Sequence, residues 1–201
     1  MTLTRKGAAT RRRIVEGAAA QIREQGVFAV RLEDVMARTG TSKSQLFHYF
    51  PDGKDALLLA VARHEAARVI DEQQPELGSL TSWPAWQRWR DKIVARYRAQ
   101  GSDCPLHTAL AQLGGATDAT RTVAGELLTG WQRQLAEGIR RMQATGGIGA
   151  GLDADREAAA LLAAVQGGVL ILMTTGSSTH LEAALDSTIA HLRASADGRP
   201  G

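Results

Sequence analysis

The 201-residue sequence predicts an all-α protein of about nine helices. Apolar residues recur at helical spacing along nearly the whole chain, and no run of alternating β-branched residues bounded by turn residues is present. Proline, which interrupts helix interiors, occurs only five times. Hydrophobic residues make up 44% and charged residues 22%, which is typical of a folded globular chain rather than a disordered one.

The first third of the chain predicts four helices. They are expected over Thr10–Gln25, Leu32–Arg38, Ser42–Phe50 and Lys54–Gln73. In the first helix, Ile14, Ala18 and Ile22 share one face, and Gly26 follows where a helix end favours positive φ. The second and third helices are short and are joined by the turn Thr39-Gly40-Thr41.

Glycine and proline divide the rest of the chain into five further predicted helices. They are expected over Trp83–Gln100, Leu106–Leu113, Asp118–Thr145, Asp153–Thr175 and Thr179–Ala194. We assign residues 1–53 to a first domain, residues 54–195 to a second domain and residues 196–201 to a disordered tail.

The basic residues are concentrated at the start of the chain. Residues 1–60 contain ten Lys or Arg and six Asp or Glu, whereas residues 61–201 contain fourteen and fifteen. A basic end beside a nearly neutral remainder indicates contact with a polyanion such as nucleic acid. The alternative is a solvated tail that only keeps the protein soluble, so the inference needs a structural motif.

Cysteine content and hydropathy indicate the cellular compartment of the protein. A single cysteine excludes an internal disulfide framework. The N-terminus lacks the apolar block of a secretory signal, and no apolar run reaches the length of a membrane helix. We therefore expect a soluble, cytoplasmic protein that has no membrane partner.

The segment Leu32–Phe50 has the layout of a helix-turn-helix, two short helices joined by a tight turn with a central glycine. Val35, Leu46 and Phe50 are predicted to fix the second helix against its neighbours. The opposite face of that helix is then available for the major groove of DNA. An ordinary helical hairpin is the alternative interpretation.

Three stretches in the first third of the chain resemble the DNA-binding domain of the tetracycline-repressor (TetR) family. They are Ile14-Val15-Glu16 through Gly26, Val35-Met36-Ala37-Arg38-Thr39-Gly40-Thr41-Ser42-Lys43-Ser44-Gln45-Leu46-Phe47-His48-Tyr49-Phe50, and Pro51 to Leu58. The resemblance implies an N-terminal three-helix helix-turn-helix domain, followed by a helical domain that binds a ligand and forms the dimer. It implies a sequence-specific transcriptional regulator, with repression as the commoner behaviour.

The same resemblance implies which residues contact DNA. Base edges would be read by Ser42, Lys43, Ser44, Gln45 and His48, and the phosphate backbone would be held by Phe47, Tyr49, Lys54, Arg11, Arg12, Arg13 and Arg31. Phe47 stands where the family usually has Tyr, so a hydroxyl contact to phosphate is lost. Arg31 and Leu32 stand where a Ser or Thr usually caps the second helix.

The second domain is expected to bind a small-molecule effector. Candidate ligand-binding residues are Trp86, Trp89, Tyr97, Cys104, His107, Gln112, Trp131, Gln166 and Met173. Aromatic and Met side chains at helical spacing are also typical of a plain core, and this alternative stays open. Cys104-Pro105-Leu106, Trp131 and Gln166-Gly167-Gly168 are similar to one subgroup of the family, the LmrA/YxaF-like regulators linked to lincomycin and flavonoid responses.

The last two helices are expected to form a homodimer interface. Small and branched residues would allow close helix approach, at Ala159, Ala163, Gly167, Leu170, Leu181, Leu185 and Ile189. The alternative is that both helices close the core of a single chain. A two-fold dimer predicts a palindromic DNA operator, from which the effector would release the protein.

No motif of an enzyme is present: the sequence lacks a nucleophile elbow, a P-loop, a dinucleotide fingerprint and HExxH. Cys104 and His107 provide too few ligands for a structural zinc site. We expect no catalysis, no cofactor and no bound metal. The alternative function is a helical ligand-binding or interaction module with only nonspecific affinity for nucleic acid.

Overall fold

A computed structural model of the protein describes residues 4–26, 29–100 and 118–197. These residues form eight α-helices and one 3₁₀ turn at Leu77–Ser79, and they contain no strand, which confirms the all-α prediction. The helices are α1 Arg5–Gln25, α2 Leu32–Thr39, α3 Lys43–Tyr49, α4 Lys54–Asp71, α5 Trp83–Gln100, α6 Asp118–Ala144, α7 Ala154–Thr175 and α8 Thr179–Asp197. The helix predicted over Leu106–Leu113 lies outside the described residues.

Two helix ends differ from the predictions because side chains cap them. The predicted start at Thr10 is wrong: α1 begins at Arg5, after Thr4 Oγ1 accepts a hydrogen bond from the Gly7 N–H at 3.2 Å. Ala196 and Asp197, assigned to the tail, are helical. The last turn of α8 is held by Ser195, whose Oγ donates to Leu192 O at 2.7 Å and accepts from the Gly149 N–H at 3.0 Å.

The described residues divide into two compact units. The first contains those up to Val69 and 118–125, and the second contains 70–100 and 126–197. Most of α4 therefore packs with the first three helices, whereas the predicted boundary follows Gly53. The division into a DNA-binding and a regulatory domain stays a prediction.

Ion pairs tie α1 to α2 and α4 in the first unit. Arg23 Nη1 lies 2.8 Å from Glu65 Oε1, and the Glu65 carboxylate is buried. Arg38 donates to both carboxylate oxygens of Glu24, at 2.7 and 2.5 Å, and this hydrogen bonding lowers the pKa of Glu24. Because each pair joins two helices, the pairs favour the orientation in which α2 and α4 pack against α1.

Aromatic and branched residues fill the core of the second unit. Trp86, Trp89 and Trp131 are completely buried. The backbones of α7 and α8 approach so closely that a Cβ added at Gly168 would lie 2.6 Å from Leu181 Cα. Two helices pack this tightly only where one of them lacks a side chain.

α7 is the most apolar described helix. Its mean hydropathy is 1.8 over an 18-residue window, so within the described ranges it alone is long and apolar enough to cross a membrane by length and composition. The core helix of a soluble protein passes the same test, and α7 packs along α8. Its composition is therefore weak support for a membrane span.

Candidate nucleic-acid interface

The turn and the buried side of α3 fix the helix that is predicted to read DNA. Val35 and Leu46 are completely buried and Phe50 nearly so, which confirms the predicted anchors. Gly40 ends α2 with φ 59°, a left-handed conformation that favours glycine. The Thr39 hydroxyl donates to Val35 O at 2.7 Å, so the turn is also held by a buried hydrogen bond.

The first residues of α3 form a capping box. Ser42 Oγ accepts the Gln45 N–H at 3.2 Å, and Gln45 Oε1 accepts the Ser42 N–H at 3.1 Å. Both residues are predicted to read base edges, but in this structure their oxygens hold the helix start together. Among the described residues, no acceptor for the Gln45 Nε2 donor is found. Base reading by either residue stays a prediction.

Polar side chains lie on the opposite face of α3. Lys43, Ser44 and His48 are exposed, and Tyr49 is half-buried. The His48 and Tyr49 rings meet edge to face with centroids 4.9 Å apart. The arrangement presents an ammonium, a hydroxyl and an imidazole on one short helix, and these groups can hydrogen-bond to base edges and phosphates.

Phe47 packs over the turn that precedes α4. A Cβ added at Gly53, which has φ 64°, would lie 3.6 Å from Phe47 Cε1. The Phe47 ring is nevertheless 38% exposed. It has no hydroxyl to donate to a phosphate, so apolar contact is what this side chain can contribute.

Two of the predicted phosphate contacts, Arg31 and Lys54, flank the starts of helices. Arg31 is exposed at the N-cap of α2, where its side chain makes no capping hydrogen bond. Lys54 is half-buried and is the first residue of α4. Cations beside helix N-termini, whose first N–H groups lack partners within the helix, are suited to an anion such as phosphate.

The three predicted arginines of α1 have different surroundings. Arg11 is half-buried, with its guanidinium carbon 5.2 Å from the centre of the Phe50 ring. Arg12 is exposed and lies 3.9 Å from the Glu16 carboxylate. Arg13 is exposed. Arg11 is thus held against the end of α3, whereas Arg12 and Arg13 extend into solvent.

Sequence reasoning missed Gly17, which lets α1 approach the turn. A Cβ added at Gly17 would lie 2.3 Å from Thr39 Cγ2, closer than atoms of folded proteins come. A glycine within an otherwise helical pattern was the signal for such an approach. Gly17 thus allows α1 to pack closely against the turn that precedes α3.

The predicted ligand-binding residues that the structure describes lie mostly in the core. Trp86, Trp89, Trp131 and Tyr97 are buried. Gln166 and Met173 are half-buried, whereas Cys104, His107 and Gln112 lie outside the described residues. The Trp86 and Trp89 rings meet edge to face, with centroids 6.0 Å apart.

Hydrogen bonding distinguishes these tryptophans. Trp89 Nε1 donates to Gln73 Oε1 at 3.0 Å inside the core. Trp86 Nε1, Trp131 Nε1 and Gln166 Nε2 are buried and have no acceptor in the part of the chain that the structure describes. A buried donor without an acceptor costs about 1–3 kcal/mol. Ligand binding by these residues stays a prediction.

The predicted dimer residues separate into two groups. Leu181 and Leu185 of α8 are completely buried within one chain, and α8 packs along α7, so their part in a dimer stays a prediction. Leu170 is 49% exposed, and Ala159, Ala163 and Gly167 of α7 are also exposed. Ile189 of α8 is half-buried. The exposed group follows i, i+4, i+8, i+11 spacing and forms one stripe on α7.

Within residues 4–26, 29–100 and 118–197 no group of three His, Cys, Asp or Glu side chains could hold a metal ion.

Family models match both parts of the chain. Residues 14–61 match the bacterial regulatory proteins of the TetR family, and residues 85–188 match a tetracyclin repressor-like C-terminal domain. An uncharacterised helix-turn-helix transcriptional regulator of Mycobacterium tuberculosis is 28% identical over 148 residues, which cover 64% of this chain and 71% of the relative. Another from Lactococcus lactis is 22% identical and covers 88% and 90%.

Solved structures share the fold. The TetR-family regulator of Cytophaga hutchinsonii has a TM-score of 0.77 and 21% identity, covering 96% of this chain and 98% of its own. That of Chloroflexus aurantiacus has a TM-score of 0.75 and 24% identity, covering 94% and 96%. These matches do not confirm the LmrA/YxaF-like subgroup. The relatives are transcriptional regulators, which are not enzymes. The chain belongs to the TetR family of DNA-binding transcriptional regulators.

Proposed function

We propose that this regulator is a cytoplasmic repressor that binds a palindromic operator as a homodimer and leaves it when a small-molecule effector binds. The observation that carries the proposal is the packing of α3 against its neighbours. Its buried side is fixed by Leu46 and the following Phe50, while Lys43, Ser44 and His48 are exposed. A helix held in this way can present one face to the major groove without rearranging.

Different side chains would supply specificity and general affinity. Lys43, Ser44 and His48 would contact base edges, and Gln45 would do so through its amide Nε2. The α1 arginines, Arg31, Tyr49 and Lys54 would contact phosphates, which adds salt-sensitive affinity that does not depend on sequence.

The exposed stripe on α7 supports a dimer. Ala159, Ala163 and Gly167 leave a shallow surface, and Leu170 with Ile171 adds large apolar groups to its C-terminal end. Two copies related by a two-fold axis would bury this surface against itself. The reading helices would then meet half-sites about 34–36 Å apart, or a multiple of that distance, on a palindrome.

The unpaired donors of the second unit support an effector. Trp86 Nε1 and Trp131 Nε1 have no acceptor within the described residues. A molecule that carries carbonyl, ether or hydroxyl oxygens would satisfy them, provided the surrounding side chains move apart. Release from DNA requires that this molecule bind more tightly to a conformation in which the α3 helices of the two copies no longer match the spacing of the half-sites.

Selection of bound fragments from a random duplex library, repeated at two salt concentrations, tests the proposal. We expect one palindrome that is retained at the higher concentration. His48→Ala should weaken binding to that palindrome by about 1–3 kcal/mol and leave nonspecific binding nearly unchanged. Enrichment of no sequence, with all binding lost as salt rises, would instead favour a helical module with nonspecific affinity.

A further inference from the structure

A groove lies between α1 and α4 of the first unit. Its volume is about 380 Å³. Ala8, Val15 and Ala60 form an apolar floor. Arg11 and Arg12 of α1 and Arg63 and His64 of α4 complete the lining. The α4 residues follow Arg12 by about fifty positions, so the sequence pattern of α1 alone does not reveal the cluster.

The lining formed by the described residues is positively charged, and none of these residues carries a carboxylate. Guanidinium groups stay protonated, and like charges held on one concave surface repel one another unless an anion lies among them. Among the described residues, neither Arg63 nor His64 forms an ion pair. Arg12 lies 3.9 Å from the exposed Glu16, and the described ranges contain no other ion pair of Arg12.

The neighbouring carboxylate of α4 does not neutralise the groove. Glu65 Oε1 lies 2.8 Å from Arg23 Nη1 and 3.3 Å from Arg68 Nη1. Glu65 is thus paired with two arginines that are not among the lining residues. Arg11 is held by its contact with the Phe50 ring, which reduces the entropy it would lose on binding an anion.

We propose that this α1–α4 groove binds a phosphate group. Arginine side chains offer paired N–H donors that match phosphate oxygens, and a concave basic surface raises the local concentration of anions. The phosphate comes either from the DNA backbone or from a free phosphorylated solute. The site adds to the DNA binding of the family and does not depend on repression, the palindrome or the effector.

The test uses the full chain and inorganic phosphate as the probe. Phosphate replaces chloride at constant ionic strength while the amide signals of Ala8, Val15 and Ala60 are followed by NMR. In parallel, the salt dependence of binding to duplex DNA is measured. The variants are Arg63→Gln and the double variant Arg63→Gln/His64→Gln. Arg133→Gln is the matched control, because Arg133 is exposed on α6 of the second unit and loses the same charge.

We expect saturable shifts of the three amides in the wild type and the control, and none in the double variant. If DNA supplies the phosphate, Arg63→Gln reduces the slope of log affinity against log salt by about one, and the control does not. An unchanged slope with lost phosphate saturation identifies a free phosphate as the source. Either result supports the groove.

Three results would overturn the proposal. The first is the absence of saturable shifts in the wild type together with equal salt slopes for the wild type and Arg63→Gln. The second is saturation that the double variant retains, which would place the anion elsewhere. The third is an equal decrease in the slope of log affinity against log salt for Arg63→Gln and Arg133→Gln. That result would reflect the total charge of the protein and not the groove. Arg63 is exposed, so its replacement is expected to leave the fold intact.

Discussion

Ser42 and Gln45 cap α3 reciprocally: Ser42 Oγ accepts the Gln45 N–H at 3.2 Å, and Gln45 Oε1 accepts the Ser42 N–H at 3.1 Å. These two bonds satisfy two of the N–H groups that have no partner within the helix at the start of the seven-residue α3. A side chain predicted to read DNA thus also stabilises the helix from which it would read.

Ser42→Ala should lower the stability of the first unit by about 1 kcal/mol, because the helix loses its N-cap acceptor. Urea titration followed through the amide signals of α3 measures the change. Ser44→Ala is the matched control, since Ser44 is exposed in the same turn and its hydroxyl bonds to no described residue. Equal losses for both variants would contradict a specific role for the cap.

Gly17→Ala should destabilise the first unit, because the new Cβ would lie 2.3 Å from Thr39 Cγ2. Overpacking of this kind typically costs about 1–3 kcal/mol. Adding Thr39→Ser deletes that methyl and keeps the hydroxyl bonded to Val35 O, so the double variant should regain stability. Thermal unfolding measures both effects.

Gly125→Ala is the control for that substitution. Gly125 is exposed within α6, and an added Cβ would meet nothing within 4 Å. Alanine should therefore stabilise the helix by up to about 1 kcal/mol. A comparable loss of stability in Gly17→Ala and Gly125→Ala would exclude the steric explanation.

Trp89→Phe should destabilise the second unit more than Trp86→Phe, by about 1 kcal/mol. Both side chains are completely buried, so both variants lose the same volume. Only Trp89 gives up an indole hydrogen bond, that to Gln73 Oε1, whereas Trp86 Nε1 has no acceptor within the described residues. Denaturant titration of the two variants tests the difference, and equal losses would contradict it.

Leu170→Glu should convert the protein to monomers, because it places a charge on the exposed stripe of α7. Light scattering after size-exclusion chromatography measures the mass. Ala95→Glu adds the same charge at an exposed position of α5 and should leave the mass unchanged. A Leu170→Glu protein that stays dimeric would move the proposed interface away from α7.

Sequence patterns within short segments were sufficient to predict most of the structure of the first unit. Helical spacing identified Val35, Leu46 and Phe50 as anchors, and the Thr39-Gly40-Thr41 turn required a glycine at positive φ. The start of α1 was missed because it depends on one side-chain bond from Thr4. Ser42 and Gln45 stand three residues apart, as a capping box requires. The residues that the family resemblance assigns to base edges therefore also hold the start of α3.

Tertiary contacts set the limits of prediction elsewhere. Periodicity identified Leu181, Leu185 and Leu170 as apolar, but it does not say whether a partner is another helix of the same chain or a second copy. Within one chain, Leu181 and Leu185 are completely buried, whereas Leu170 is 49% exposed. The basic α1–α4 groove likewise combines side chains far apart in sequence, and only the packing of α1 on α4 brings them together.

A seven-residue helix such as α3 has little independent order, since isolated helices of this length are not stable in water. Its ordered fraction is therefore set by Leu46, Phe50 and the cap, and the measured DNA affinity is the intrinsic affinity multiplied by that fraction. While the fraction is near one, weakening any of these supports barely changes binding. Once the ordered fraction of α3 falls well below one, each further decrease in the local stability of α3 lowers the free energy of DNA binding by the same amount. Combinations of individually silent substitutions around α3 should therefore show a threshold in operator binding.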